Sequence, residues 1–249
     1  MGSRLETKLL RLVGRASKDF DLLEHGDRVM VGVSGGKDSY TLLYLLREIQ
    51  KRVPFDFKVI AVNLDQGHPG FPADMLRGWF EAQGYEHRMV HKDTLSIVKD
   101  KVPEGKTYCS MCSRLRRGIL YQVAHELGAT KIALGHHRDD IIETLMLNLL
   151  YAGQIKAMAP RLVSDDQRNI VIRPLAYVAE EDIIEFSKEK AFPIIPCNLC
   201  GTQENLERQN VKRLIGHLHD RNPNVKGNLF AALSNVCPSH LLDPDLRIV

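Results

Sequence analysis

The feature that most constrains the fold of this chain is an apolar run, Val29–Val33, followed by the sequence Ser-Gly-Gly-Lys-Asp-Ser at residues 34–39. Residues 40–50 then place apolar side chains at helical spacing, so the order is strand, short loop and helix. Backbone N–H groups and the dipole at the start of a helix favour a bound anion. The two glycines allow close approach of the backbone, and the serines and the lysine add donors. This stretch therefore predicts a phosphate-binding loop.

Strand-like and helix-like segments alternate through most of the chain. The strand-like runs are 28–33, 57–64, 85–90, 131–134 and 169–172, and the helix-like runs are 39–50, 73–83, 113–127, 139–151 and 179–190. This alternation predicts an α/β fold with a doubly wound parallel sheet of about five strands and helices on both faces. Ligands of such sheets bind beyond the carboxyl ends of the strands, where Ser34, Asp65 and Gly135 are expected to lie.

Three domains are expected from the order of these segments. Residues 1–25 form an N-terminal helical segment, residues 26–190 the domain with the phosphate loop, and residues 191–249 a helical C-terminal extension. Two long polar connections, 91–108 and 151–169, interrupt the alternation, and loops of this length are usually functional or disordered.

Charge and the distribution of apolar residues indicate which partners and which cellular compartment to expect. The chain has 249 residues and a formal charge of +3, which permits a nucleic-acid partner without demanding one. No apolar run reaches the roughly 18 residues of a membrane helix, and the first residues lack the apolar core of a secretion signal. We therefore expect a cytoplasmic protein that does not enter a membrane. Its arginine-rich helical segments, 114–117 and 208–213, suit either solvent or phosphate groups.

Four of the five cysteines form two C-x-x-C pairs, which predict metal or redox chemistry in a reducing compartment. Cys109 and Cys112 precede an arginine-rich helix, where helix dipole and cations favour the thiolate. Cys197 and Cys200 follow after 84 intervening residues, too many for a local zinc ribbon. The fold must therefore bring the pairs together, and thiolates suit zinc as well as an iron–sulfur cluster.

A pair of carboxylates, Asp139 and Asp140, opens the helix that follows the strand at 131–134. Acidic residues at a helix start have an ordinary role in capping and in complementing the dipole. The same pair could hold Mg²⁺ or move a proton beside bound phosphates. The residue types alone leave both roles open.

The loop is not the common nucleotide loop, since Asp38 and not a hydroxyl residue follows the lysine. It resembles the S-G-G-x-D-S loop of the PP-loop ATP pyrophosphatases. Over nearly the whole chain the sequence resembles the tRNA 2-thiocytidine synthetases, one branch of that group. The resemblance is carried by residues 34–39, 63–66, 69–72, 103–107, 109–118, 135–140, 172–175, 192–201 and 238–241.

The resemblance implies a PP-loop fold of the adenine nucleotide alpha hydrolase type and a reaction. ATP would adenylate the C2 oxygen of a cytidine in the tRNA anticodon loop (position 32), pyrophosphate would leave, and sulfur would replace the oxygen. It also implies a [4Fe–4S] cluster held by Cys109, Cys112 and Cys197, with Cys200 as a spare. Mg²⁺, a sulfur donor such as a cysteine desulfurase, and a homodimer are further expectations.

The resemblance also implies roles for the residues of this chain that stand at the positions of the family's motifs. The ATP phosphates would be held by Ser34, Gly35, Gly36, Asp38 and Ser39, with Lys37 at the variable position and Asp65 near the nucleotide. Asp139 and Asp140 would act as Mg²⁺ ligands or as acid–base groups, and the three cysteines would take part in catalysis. Alternatives are a 2-thiouridine synthetase, a lysidine synthetase and a non-catalytic ATP-binding regulator. The lysidine enzyme would not need the paired cysteines.

Overall fold

A computed structural model describes residues 2–101, 109–195, 206–243 and 245 of the chain. Its helices are α1 Arg4–Asp19, α2 Lys37–Gln50, α3 Ala73–Ala82, α4 Thr94–Lys101, α5 Cys109–Glu126, α6 Arg138–Leu147, α7 Glu180–Glu189, α8 Leu206–Arg221 and α9 Val225–Ala232. Its strands are β1 Arg28–Gly32, β2 Lys58–Asp65, β3 His87–His91, β4 Lys131–Ala133, β5 Arg161–Val163 and β6 Ile170–Ile172. In the described ranges, no helix is long and apolar enough to cross a membrane.

The chain divides into two compact units. The first comprises Met1–Arg138 and Ala159–Asn205, and the second comprises Asp139–Met158 and Leu206–Val249. The first unit holds the sheet, the phosphate loop at residues 34–39 and the backbone of the first cysteine pair. The sequence-based division at residues 25 and 190 stays a prediction.

In the described part of the first unit, six strands form one sheet in the order β3-β2-β1-β4-β6-β5. All neighbouring pairs are parallel except β5 with β6, which is antiparallel. The prediction of a doubly wound α/β fold is confirmed, but the count of about five strands was low by one. The missed strand, β5, has three exposed residues and therefore lacks the apolar alternation that identifies a strand. Helix α4 likewise lies inside the connection expected at 91–108.

The central strands are covered on both faces, as their side-chain alternation shows. Val29 and Val31 of β1 pack in one core with residues of α1, α2, α3 and α7. Met30, which points to the opposite face, packs with residues of α5 such as Val123. Successive residues of a strand face opposite sides of a sheet. An unbroken apolar run is therefore fully buried only where both faces of the sheet are covered.

The strand order places the phosphate loop at a topological switch point. The chain leaves β1 towards β2 on one side, whereas β4 lies on the other side of β1. In open α/β sheets ligands bind at the carboxyl edge where the order reverses in this way. The loop after β1 and the turn after β4 therefore flank the expected crevice.

An aromatic cluster packs where α2 meets α3 and the segment after α7. The ring of Tyr40 lies 4.7 Å from that of Trp79, edge to face, and 5.5 Å from that of Phe192, nearly parallel. Trp79 also lies 6.1 Å from Phe192. Such contacts add to the hydrophobic gain from burial and give the rings a defined geometry.

The second unit has a small core of its own. Ile142 of α6 is buried with Val211 and Ile215 of α8, and partly buried side chains of α9 such as Phe230 complete the cluster. A π-helical turn, Asn148–Ala152, continues α6. Helices α8 and α9 both lie within the stretch 191–249 that was expected to be helical.

Candidate active site

The phosphate loop is a sharp turn that leads straight into α2. Gly35 adopts a φ of +86°, in the left-handed region that favours glycine. Gly36 is the N-cap of α2 and supplies no side-chain acceptor to the first turn. The first N–H groups of a helix have no partners within it, so this turn offers backbone donors to an anion.

The two serines of the loop lie close together. The Ser34 hydroxyl accepts a hydrogen bond from the Gly36 N–H at 3.4 Å, and the Ser39 hydroxyl donates to the Gly36 carbonyl at 2.9 Å. The two hydroxyl oxygens are 3.5 Å apart. Ser34 is exposed and Ser39 is buried, so the two hydroxyl oxygens lie at different depths of the same turn.

Lys37 is held in place by two carboxylates. Its Nζ lies 3.1 Å from Asp38 Oδ1 and 3.2 Å from Oε1 of Glu180, the first residue of α7. Burial opposes the positive charge, but the two carboxylates outweigh it and the pKa of Lys37 lies above its ordinary value. The ammonium is therefore charged at neutral pH and can form an ion pair with a phosphate group. No motif marked Glu180, which is far from the loop along the chain.

The turn after β4 rests against the backbone of the loop. A Cβ placed on Gly135 would lie 3.0 Å from the carbonyl carbon of Asp38 and 3.1 Å from the nitrogen of Ser39. The neighbouring His137 is buried, and its Nε2 lies 3.7 Å from Asp38 Oδ1. The structure thus brings the expected Gly135 turn and the phosphate loop together.

We expect Gly135→Ala to weaken the binding of ATP about tenfold, because the methyl group forces the first turn of α2 to shift and overpacking costs about 1–3 kcal/mol. Titration calorimetry with a non-hydrolysable ATP analogue measures the change. Gly78→Ala is the matched control, since Gly78 lies in α3 with nothing within 4 Å of the added Cβ. Equal affinities for the two variants would contradict the role given to this contact.

Asp65 ends β2, and both of its carboxylate oxygens are engaged locally. Oδ1 accepts from the Gly67 N–H at 2.9 Å, and Oδ2 lies 2.9 Å from Nδ1 of His91. These contacts fix the carboxylate at the carboxyl edge of the sheet. Its part in binding a nucleotide stays a prediction.

The first cysteine pair occupies the first turn of α5, which begins at Cys109. Cys112 is half-buried. Residues three apart share a face of a helix, so this spacing suits two thiolates on one metal centre. The side chain of Cys109 and the whole of Cys197 and Cys200 lie outside the described part, as do residues 102–108. Among the residues and side chains described, no three His, Cys, Asp or Glu residues cluster as a metal site.

Asp139 and Asp140 belong to the second unit, where each faces a cation. Asp139 is buried, and its Oδ1 lies 3.3 Å from Nζ of Lys226. Asp140 Oδ1 lies 3.4 Å from a guanidinium nitrogen of Arg208, which also donates to Thr144 at 3.2 Å. Arg208 thus contacts side chains of α6. It is one of the arginines for which the sequence left open whether they bind phosphate groups or face solvent.

Sequence reasoning missed Ile195, which lies directly on the phosphate loop. Its N–H donates to the Gly35 carbonyl at 2.9 Å, and its side chain occupies the space where a Cβ of Gly35 would lie. Ile195 is 7% exposed. Ile195 belongs to the stretch 192–201 that carries the family resemblance, but the sequence assigned roles only to the cysteines of that stretch.

The PP-loop domain family model matches residues 1–196. A tRNA-cytidine(32) 2-sulfurtransferase from Anaeromyxobacter sp. (strain Fw109-5) is 59% identical over 245 residues, which are 98% of this chain and 81% of that protein. The protein of the same name from Chromobacterium violaceum is 60% identical over 245 residues, 98% of this chain and 77% of its own.

Two solved structures share the architecture. The U34-tRNA thiolase NcsA from Methanococcus maripaludis, determined with its [4Fe-4S] cluster, has a TM-score of 0.73 at 24% identity and covers 92% of this chain and 78% of that one. The NH3-dependent NAD synthetase from Campylobacter jejuni has a TM-score of 0.50 at 14% identity, covering 97% of this chain and 100% of that one. At these identities the likeness concerns the fold, and both agree with the sheet described above.

Proposed function

The chain belongs to the tRNA-cytidine(32) 2-sulfurtransferases, a branch of the PP-loop enzymes, and we propose that it makes 2-thiocytidine through an ATP-activated intermediate. The enzyme class and tRNA thiolation follow from the family. The single observation that carries the proposed chemistry is the contact of Ile195 with Gly35 of the phosphate loop, because Ile195 stands two positions before Cys197 in the sequence. The loop would activate the base, and the cysteines would serve sulfur delivery.

Activation is proposed at residues 34–39. The C2 oxygen of cytidine attacks the α-phosphorus of ATP, the bond to the β-phosphate oxygen breaks, and pyrophosphate leaves with its electron pair. Sulfur at the sulfide level (HS⁻) then adds to C2, the C2–O bond breaks with its electron pair going to AMP, and the proton of the sulfur is released to solvent. The first turn of α2, which has no side-chain cap, and the charged Lys37 would both stabilise the negative charge that grows on the departing pyrophosphate. Donors already fixed where charge develops lower the barrier without reorganisation.

We propose that Cys109, Cys112 and Cys197 hold a [4Fe–4S] cluster, with Cys200 not required. The donor set fits, because thiolates are the ligands such clusters prefer. When bound, the cluster would supply an iron with an open coordination position for the sulfur. Ile195 is held on the loop by its contact with Gly35. Two peptide units of the chain lead from Ile195 to Cys197. Each spans about 3.8 Å between Cα atoms.

Other members of the proposed machinery rest on the sequence. Asp139 and Asp140 stay candidates for binding Mg²⁺ or moving a proton, and Asp65 for approaching the nucleotide. A sulfur donor of the cysteine desulfurase kind and a homodimer are also proposed. The basic residues of α5, including the exposed Arg114 and Arg117, are proposed to meet tRNA phosphates.

The test is a deletion strain complemented with this chain, whose tRNA nucleosides are analysed by mass spectrometry. We expect 2-thiocytidine to vanish in the deletion strain and to return with the chain. Anaerobically purified protein should contain about four irons and four sulfides per chain. Loss of a different modification, such as 2-thiouridine or lysidine, would move the chain to that PP-loop activity. Zinc instead of iron, with no thiolation after reconstitution, would overturn the cluster.

A further inference from the structure

The segment at residues 192–195, which we name the docked segment, is anchored on α2. The Tyr40 hydroxyl donates to the carbonyl of Pro193 at 3.0 Å, and the Tyr40 ring stacks on Phe192. Burial raises the pKa of Tyr40 to about 12, so the hydroxyl keeps its proton and donates at neutral pH. Tyr40 belongs to the same helix that carries the end of the phosphate loop. The docked segment and the loop therefore share one support.

The last residue of the docked segment touches the loop itself. Ile195 donates its N–H to the Gly35 carbonyl at 2.9 Å. A Cβ on Gly35 would overlap Cδ1 of Ile195 and would lie 2.8 Å from its Cγ1. The contact thus combines a backbone hydrogen bond with close packing on the residue whose left-handed φ forms the turn. Any shift of the Gly35 peptide must be accompanied by a shift of Ile195.

The contact lies at a particular place in the sequence. Pro196 and Cys197 follow Ile195 directly, and Cys197 is a cluster ligand in the proposed function. A proline has its φ fixed by the ring and has no N–H, so this one-residue link has one fewer free torsion than another residue type would give. The residue that packs on the phosphate loop therefore stands two positions before that cysteine in the sequence.

We propose that Ile195 is a positioning residue that couples nucleotide binding at the loop to the hold of Cys197 on the cluster. The proposal rests on the proposed function, since it requires both ATP at the loop and a cluster at the cysteines. Both ligands act on this one contact: a nucleotide that shifts the Gly35 peptide also shifts Ile195, and a Cys197 thiolate held by iron restrains Ile195 through the chain. Such coupling is reciprocal: the cluster strengthens ATP binding by the factor by which ATP strengthens cluster retention.

The affinity of a non-hydrolysable ATP analogue measures this coupling without turnover. It is determined anaerobically by calorimetry for the iron-free and the reconstituted full-length protein. In the wild type we expect the reconstituted form to bind about tenfold more tightly, within the usual range of coupling between sites. In Ile195→Ala we expect the two affinities to become equal. In Ile195→Val, which keeps the branched Cβ, we expect part of the ratio to remain.

Ile194→Ala is the matched control, because Ile194 is the adjacent residue of the same type and is 46% exposed. We expect it to keep the wild-type ratio. Cluster release to an iron chelator, followed by the loss of visible absorbance, should be slowed by the analogue in the wild type and not in Ile195→Ala. Melting temperatures of the iron-free proteins show whether each variant is folded, and Ile195→Val serves if the alanine variant is not.

Two outcomes overturn the coupling: a wild-type ratio of one, or an Ile195→Ala ratio equal to that of the wild type. Either can occur in a protein that holds iron and makes 2-thiocytidine, in which case the proposed function stands. If the wild type binds no iron or fails to thiolate tRNA, the proposed function fails first. The iron content of the wild type therefore distinguishes the two failures.

Discussion

Replacing Gly35 with alanine is expected to lower ATP-dependent pyrophosphate release about 100-fold, the loss that a misplacement of about 1 Å can cause at a reacting centre. Two effects act together. The φ of +86° is unfavourable for alanine, at about 1–2 kcal/mol per residue in the left-handed region. The new methyl group would also overlap Ile195, so the loop or the docked segment must move. Pyrophosphate release with tRNA as substrate measures the effect.

Gly84→Ala separates backbone strain from the site. Gly84 has a φ of +67° and nothing within 4 Å of an added Cβ, so its alanine variant carries strain alone. We expect a lower melting temperature and an unchanged rate per folded molecule. The double variant Gly35→Ala/Ile195→Ala removes the overlap and should recover part of the rate. A Gly35→Ala enzyme with the rate of the wild type would contradict the proposed place of the phosphates.

Replacing Cys197 with serine is expected to abolish cluster retention and to reduce 2-thiocytidine formation about 100-fold or more. Loss of groups that merely support metal ligands already costs about 10–100-fold. The hydroxyl is a much poorer ligand for iron than a thiolate. The ATP analogue should still bind, with the affinity of the iron-free wild type, because the phosphate loop is intact. Iron counting after anaerobic reconstitution and nucleoside analysis give the two readouts.

Two other cysteines provide the comparison. Cys237 is exposed and belongs to the second unit, so Cys237→Ser should keep both iron and activity. Cys200→Ser tests the spare cysteine and should also keep the cluster. If Cys200→Ser and not Cys197→Ser loses iron, the assignment of the third ligand is reversed.

Elements with a strong local pattern could be predicted from the sequence, and elements that depend on tertiary packing could not. Residues 29–31 of β1 are all apolar because both faces of the sheet are covered, and the two glycines of the loop indicated the turn at Gly35. Strand β5 is three residues long and exposed, so its pairing with β6 supplies what its own sequence does not. Helix α4 lay hidden because its amphipathic pattern spans only eight residues.

The partners of the site residues show the same limit. Lys37 was expected in the loop, but its ion pair with Glu180 joins residues that only the packing of α2 against α7 brings together. The contact of Ile195 with Gly35 likewise depends on the path of the chain after α7. Asp139 and Asp140 were identified by position, yet the cations Lys226 and Arg208 that face them come from helices near the end of the chain. No local spacing encodes such pairs.

The aromatic cluster at α2 gives this protein a built-in optical reporter. The chain has one tryptophan, so its tryptophan fluorescence, excited at wavelengths that tyrosine does not absorb, comes from a single residue. Trp79 lies against Tyr40, which anchors the docked segment, and against Phe192, which belongs to it. The tryptophan emission of the unmodified protein therefore reports on the docked segment, which packs on the phosphate loop and precedes the second cysteine pair. No dye has to be attached.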